Sequence, residues 1–229
     1  MIPEKLQSYD RVCLIDVGYH KGHFVQHFLT KYGIKRHKVR VIGIDPLDHR
    51  SWKFAHDLGG DDTICDDFFR FAISTTPGKA KFHIYSETGC NSLHEMNVDK
   101  IVKELNSDDG WYCGYQIKKT KEIEVDVITL ESVIETINEP LIHFLKIDTQ
   151  GNDINVIKSC GDRVHNIIFI QMETCVAKNE NQIMYKNQTT IDHDIAYMKN
   201  LNFEVLDIED YSQSAPPEAN IIFYNKSLI

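Results

Sequence analysis

Short apolar runs recur along the chain, separated by segments with helical periodicity. VCLIDV (12 to 17) is a continuous apolar run of buried-strand type. The segment after it keeps Phe24, Phe28 and Leu29 at helical spacing and stops near Gly33, a glycine C-terminal cap. VRVIGID (39 to 45) predicts a second strand ended by Pro46, with a helix over 51 to 58 behind it. FFRFAIS (68 to 74) predicts a third strand. The turn TTPGK then leads into KFHIYS (81 to 86), a hairpin partner or edge strand. A strand over 120 to 128, the helix LESVIETI (130 to 137) and the buried strand LIHFLKID (141 to 148) follow. DINVIKSC (153 to 160) predicts a short helix closed by Gly161, and NIIFIQMET (166 to 174) another central strand. Residues 189 to 200 place Ile191, Ile195 and Met198 on one helical face. FEVLDI and ANIIFYN predict a closing antiparallel pair. This alternation predicts an α/β fold with a largely parallel sheet, as one domain over residues 1 to 229.

Residues 87 to 115 break the pattern. ETGCNSLHEMN predicts a loop entering a helix near 97 to 105, and SDDGWYCGY predicts a second loop. Irregular stretches of this length carry function more often than packing. With residues 175 to 190 they are the expected wall of an acceptor pocket, where Trp111, Tyr112 and Tyr115 would either stack on a sugar face or form a hydrophobic plug.

Composition narrows the partners. The net charge is −9, so no global electrostatic footprint for nucleic acid is present. No apolar run is long enough to span a membrane, and the opening MIPEKLQSYDR lacks a secretory h-region. The six cysteines form no C-x-x-C pair and read as reduced thiols of a cytoplasmic protein. The oligomeric state has no signature in the sequence.

The chemistry begins in LIDVGYHKGHF (14 to 24), an acid at a strand tip followed by two glycines. In doubly wound sheets ligands sit at the carboxyl ends of the strands. Gly18 and Gly22 permit a tight turn and close backbone approach, and Asp16 offers a carboxylate to a cationic amino group. Asp45, at the end of the second strand, suits the adjacent hydroxyls of a ribose. The pyrophosphate fingerprint G-x-G-x-x-G is missing. S-adenosyl-L-methionine has a ribose, an amino group and a sulfonium but no phosphate, and it fits this set better than a dinucleotide does.

Several strings then fall in a familiar order. They are LIDVGYHKG, VIGIDP, FAISTTPGKAKFHIY, GCNSLHEM, VDVITLESVI, FLKIDTQGNDINVIKSC, IIFIQMET and EANIIFYNK. With them the chain resembles the FkbM family of S-adenosylmethionine-dependent methyltransferases. The resemblance implies a class I, Rossmann-like fold, with a mostly parallel seven-stranded sheet and a closing antiparallel strand. It implies methyl transfer to a hydroxyl of a sugar, glycan or related small molecule. Tyr19 and His20 stand where the family has a small residue and an asparagine, and Asp45 and Asp153 stand where it has glutamates. The expected cofactor set is Asp16, Gly18, Tyr19, His20, Gly22, Asp45 and Pro46, with Asn91 and Ser92 added on the resemblance.

Methyl transfer to a hydroxyl needs alignment and a base. Asp148 and Lys146 point to the same side of the fourth parallel strand, and Glu173 ends its neighbour. Two neighbouring carboxylates suit a general base or a divalent cation, with Asp153 completing an oxygen-rich set. No recognised metal spacing supports the cation. His94 is a further candidate base. His23 and His27 lie one helical turn apart, which reads as an exposed helix face rather than a metal pair. Two alternatives stay open: a binding protein that keeps the fold without catalysis, and a methyltransferase for a non-sugar acceptor.

Overall fold

The structure is a computed structural model that describes residues 1–48, 65–97, 117–210 and 218–229. The helices expected over 51 to 58 and near 97 to 105, and the loop with Trp111, Tyr112 and Tyr115, fall at residues outside this set.

Ten strands are described: β1 (Val12–Val17), β2 (Val39–Ile44), β3 (Asp67–Phe69), β4 (Ala72–Ile73), β5 (Gly78–Tyr85), β6 (Lys119–Ile128), β7 (Ile142–Ile147), β8 (Ile167–Cys175), β9 (Phe203–Asp210) and β10 (Glu218–Asn225). The helices are α1 (Ile2–Gln7), α2 (His23–Tyr32), α3 (Leu130–Ile137), α4 (Asp153–Lys158) and α5 (Ile191–Asn200). The main sheet runs β3-β2-β1-β7-β8-β10-β9. Its central pairs are parallel, and β10 runs antiparallel to both of its neighbours. This is the expected Rossmann-like methyltransferase topology.

The central strands are buried from end to end because helices cover both faces, which is why the sequence writes them as unbroken apolar runs. One face packs α3 and α4 through Leu130, Val133, Ile134, Ile154 and Ile157. The other packs α1 and α2 through Leu6, Val25, Phe28 and Tyr32, with Phe28 and Phe144 edge to face at 5.0 Å. Strand order reverses at β1 and β7, so their carboxyl ends open the crevice that holds the site.

Two expectations are corrected. The segment 68 to 74 is not one strand. Its first part, β3, joins β2 in the main sheet, and its second part, β4, leaves for a three-stranded sheet of order β4-β6-β5. β5 is an edge strand, but its antiparallel partner is β6 and not the preceding segment. The chain can switch sheets because Ala72 and Ile73 find parallel partners in Val127 and Ile128, a pairing no local pattern encodes. The cysteines also differ from expectation. Cys13, Cys65, Cys160 and Cys175 are in no disulfide, whereas Cys90 is disulfide-bonded, a pairing that isolated cysteines without a spacing motif do not announce.

Candidate active site

The site is assembled where the tips of β1, β2 and β7 meet. Gly18 and Tyr19 both donate their N–H to the carbonyl of Ile44, at 2.9 and 3.1 Å, and Asp148 N donates to Val17 O at 3.0 Å. Gly18 has φ +79°, and a Cβ there would stand 1.8 Å from the Asp148 carbonyl oxygen. The loop therefore lies directly on the β7 tip, and glycine makes room first for the protein's own backbone. Gly22 caps α2 with φ +76°, and its absent Cβ leaves space for the Tyr19 hydroxyl at 2.6 Å.

Two cavities open from this junction. The first, of about 110 Å³, runs past Asp45, Pro46 and Leu47 toward the second sheet. Phe71, Ile73, Phe82 and Leu93 give it apolar walls, and Asn91 and Asn152 add amides. The Asp45 carboxylate accepts N–H bonds from Leu47 at 2.8 Å and His20 at 2.9 Å, one on each oxygen. Each oxygen keeps a lone pair for a further hydroxyl. Burial pushes the Asp45 carboxyl up to about 6, against the pull of those two N–H groups. An acid beside apolar walls suits a nucleoside: hydroxyls on the acid, a flat base between the walls.

The second cavity lies on the α2 side and is lined by Lys146, Asp148, Gln171, Glu173 and Asn220, with Gly18 to Lys21, His23 and Phe24 from the loop and the start of α2. Lys146 is buried here. Its ammonium lies 3.1 Å from Asp16 Oδ1 and 3.4 Å from Asp148 Oδ2, and donates to Gly18 O at 3.2 Å. Burial alone would lower the Lys146 pKa, but Asp148 and Asp16 together carry it above the ordinary value. Burial pushes Asp16 up to about 6, partly offset by Lys146.

The expected residues divide. Gly18, His20, Asp45, Pro46, Asn91 and Asp148 line the first cavity, and Lys146 and Glu173 line the second. His20 contributes its backbone N–H to Asp45, while its ring Nε2 lies 2.9 Å from the Thr88 hydroxyl. Asp16 lines neither cavity. It is fully buried, and the cation it faces is Lys146 at 3.1 Å. Tyr19 touches the second cavity, but its ring is turned inward, against Gly43 and edge to face with Phe68 at 5.8 Å. Ser92 is fully buried and donates to the Gln150 carbonyl at 2.7 Å, which ties a loop down rather than facing a ligand. His94 lines neither cavity, and burial lowers its pKa. Gly22 lines neither. Asp153 accepts from Thr149 N and Gly151 N, both at 3.1 Å, so its oxygens close the turn into α4 instead of joining a cation set. Among the described residues no cluster of three metal-ligating side chains is present.

Residues the sequence did not single out complete the picture. Gln150 donates its side-chain amide to Asp148 Oδ1 at 2.7 Å and to Glu173 Oε2 at 3.0 Å. Tyr185 donates its hydroxyl to Gln150 Oε1 at 2.8 Å. Glu218 brings a further acid near Glu173. Burial first, then Glu218 and Asp148, hold Glu173 well above the usual carboxylate range, and burial pushes Glu218 up to about 8. Gln150 stands inside the string KIDTQGND two places beyond Asp148, so its position was a signal; Tyr185 had none.

The strand order and the site at the β1/β7 switch point define a protein of the class I methyltransferase type. The sequence matches the Methyltransferase FkbM domain over residues 16–205, and the chain belongs to that family of S-adenosylmethionine-dependent enzymes. No curated protein matches it. Among solved structures it is similar to a Burkholderia thailandensis 1,6-didemethyltoxoflavin-N1-methyltransferase with bound 1,6-didemethyltoxoflavin and S-adenosylhomocysteine. The identity is 10% and the TM-score 0.47, over 98% of this chain and 76% of that one. It is also similar to LepI in complex with SAM, at 10% identity and TM-score 0.42. That match covers 98% of this chain but 46% of LepI.

Proposed function

We propose that the protein methylates a hydroxyl of a sugar, glycan or related small molecule, with S-adenosylmethionine in the first cavity and the acceptor in the second. The observation that carries this reading is shared lining. Gly18, His20 and Asp148 border both cavities, so Asp148 stands at their junction. When bound, the cofactor supplies a sulfonium methyl as the electrophile. Asp45 takes the ribose hydroxyls. Asp148 accepts the proton of the acceptor hydroxyl at Oδ2, the oxygen that faces Lys146. Lys146, buried and charged, stands 3.4 Å from that oxygen and holds the carboxylate in place. Gln171 and Asn220, which line the second cavity, supply the hydrogen bonds that a polyhydroxyl acceptor needs.

The test has two stages. Calorimetric titration with S-adenosylmethionine is expected to show one-site binding, and labelled cofactor with a panel of sugars is expected to give a methyl ether. Asp148→Asn is expected to lower kcat by about 10²–10⁴ and leave cofactor affinity nearly unchanged, because asparagine keeps the shape but takes no proton. Normal turnover by that variant would assign the proton elsewhere.

A further inference from the structure

Asp148 and Glu173 end neighbouring parallel strands, and both border the second cavity. Two anions so placed repel each other unless donors stand between them. One side chain supplies both donors. The Gln150 amide nitrogen bonds Asp148 Oδ1 at 2.7 Å and Glu173 Oε2 at 3.0 Å. An amide has two N–H donors at one end and an acceptor at the other, so only one of its two orientations suits a pair of carboxylates. Tyr185 fixes that orientation. Its hydroxyl donates to Gln150 Oε1 at 2.8 Å and also lies 3.1 Å from the Cys90 carbonyl.

The backbone is shaped for this contact. Gln150 has φ +57°, a left-handed conformation that non-glycine residues adopt at a cost and keep only where their surroundings hold them. The next residue, Gly151, has φ +89°, and a Cβ there would meet Tyr185 Cβ at 2.7 Å. Glycine lets the fully buried tyrosine lie flat on the turn and deliver its hydroxyl to Gln150. Ser92 holds the same turn from the other side by donating to the Gln150 carbonyl.

We propose that Gln150 is the positioning residue of the site, clamping Asp148 and Glu173 and aiming the Asp148 carboxylate into the cavity, with Tyr185 locking its amide. As a role in turnover this rests on the methyl-transfer reading above; as a clamp on two carboxylates it does not. Among the described residues, the other charged groups facing the pair are Lys146 from β7, Asp16 from β1, Asp45 at the end of β2, Asp153 from α4 and Glu218 from β10. Those groups are common to the wild type and the variants, so a difference in titration reports the clamp.

The experiment uses Gln150→Leu, of similar volume without donors, Gln150→Glu, which puts a third carboxylate in place, and Tyr185→Phe. In the cofactor-free protein, carbon-13 NMR titration follows the Glu173 carboxyl, which burial already raises. Loss of an N–H donor to its ionised form is expected to raise it further in Gln150→Leu. The shift is expected to be larger in Gln150→Glu and smaller in Tyr185→Phe. In turnover, Gln150→Leu is expected to lose roughly tenfold or more in kcat near neutrality. Cofactor affinity by calorimetry should stay close to wild type, so the loss falls in kcat and not in cofactor binding. A structural role alone would lower Tm and cofactor affinity together with kcat. Unchanged Glu173 titration in Gln150→Leu, or wild-type kcat in that variant, would overturn the proposal. If the wild type binds no S-adenosylmethionine, the functional reading fails, and the titration still decides the clamp.

Discussion

Asp45 is a scaffold residue by its contacts and, on the proposed reading, a ligand contact as well. Its oxygens hold the N–H groups of His20 and Leu47, which fixes the two loops that flank the first cavity. Charge-assisted acceptors of this kind contribute about 1.5–3 kcal/mol, so Asp45→Asn is expected to weaken S-adenosylmethionine binding by roughly tenfold or more. Burial pushes this carboxyl up to about 6, which gives the effect a pH signature. Ribose hydroxyls donate best to the ionised form. Wild-type affinity should therefore fall as pH drops through about 6, and the asparagine variant should lack that limb. Calorimetry across this range, with circular dichroism to confirm folding, checks both. Equal affinity of the variant and wild type would remove Asp45 from the ribose role.

At the scale of elements, the contact between the β1 loop and the β7 tip decides whether the site exists. The expected reason for Gly18 was ligand approach; the geometry adds a stricter one, since a Cβ would lie 1.8 Å from Asp148 O. Gly18→Ala is thus expected to lower Tm as well as cofactor affinity, with strain of about 1–3 kcal/mol at a left-handed position as a minimum. A variant that keeps the wild-type Tm but loses binding would restore the simpler account. The central strands, α2 and α3 were legible because buried parallel strands leave unbroken apolar runs, and because Gly33 and Thr129 cap their helices. Lys146 and Asp148 were legible as a pair because alternate residues of a strand point to one side; that Asp16 joins them depends on the register, which aligns Asp16 with Lys146. The split of residues 68 to 74 was not, since its apolar run is broken only by Arg70, without glycine or proline. Nor was the Gln150–Tyr185 bond, which spans 35 residues and depends on tertiary packing.

Across the whole molecule, the site gathers buried acids that a chain of net charge −9 does not neutralise elsewhere. Burial pushes Asp16 and Asp45 up to about 6, Asp153 up to about 7 and Glu218 up to about 8. A carboxyl raised above its unfolded value contributes stability that is complete below the ordinary value of 3.8 or 4.5. That stability is lost as pH rises through the folded value. Histidines act in the opposite sense. Burial lowers His83, His94 and His143 below 6.5, so their contribution is lost as pH falls and is fully present above that point. Below 6.5 the two trends oppose each other. Between 6.5 and 8 only the acids still titrate, with Asp153 and Glu218 foremost. The Tm of the cofactor-free protein is therefore expected to fall over that interval. Glu218 offers the cleanest single test, because its Oε1 is buried without a hydrogen-bond partner and no cation is paired with it among the described residues. Glu218→Gln removes the charge and keeps the shape, so its Tm should exceed wild type at pH 8 and decline less from pH 6.5. Differential scanning calorimetry at matched ionic strength measures both curves. Parallel curves would mean that Glu218 ionises without cost, and that the acids at this end of the sheet are solvated rather than held in a desolvated site.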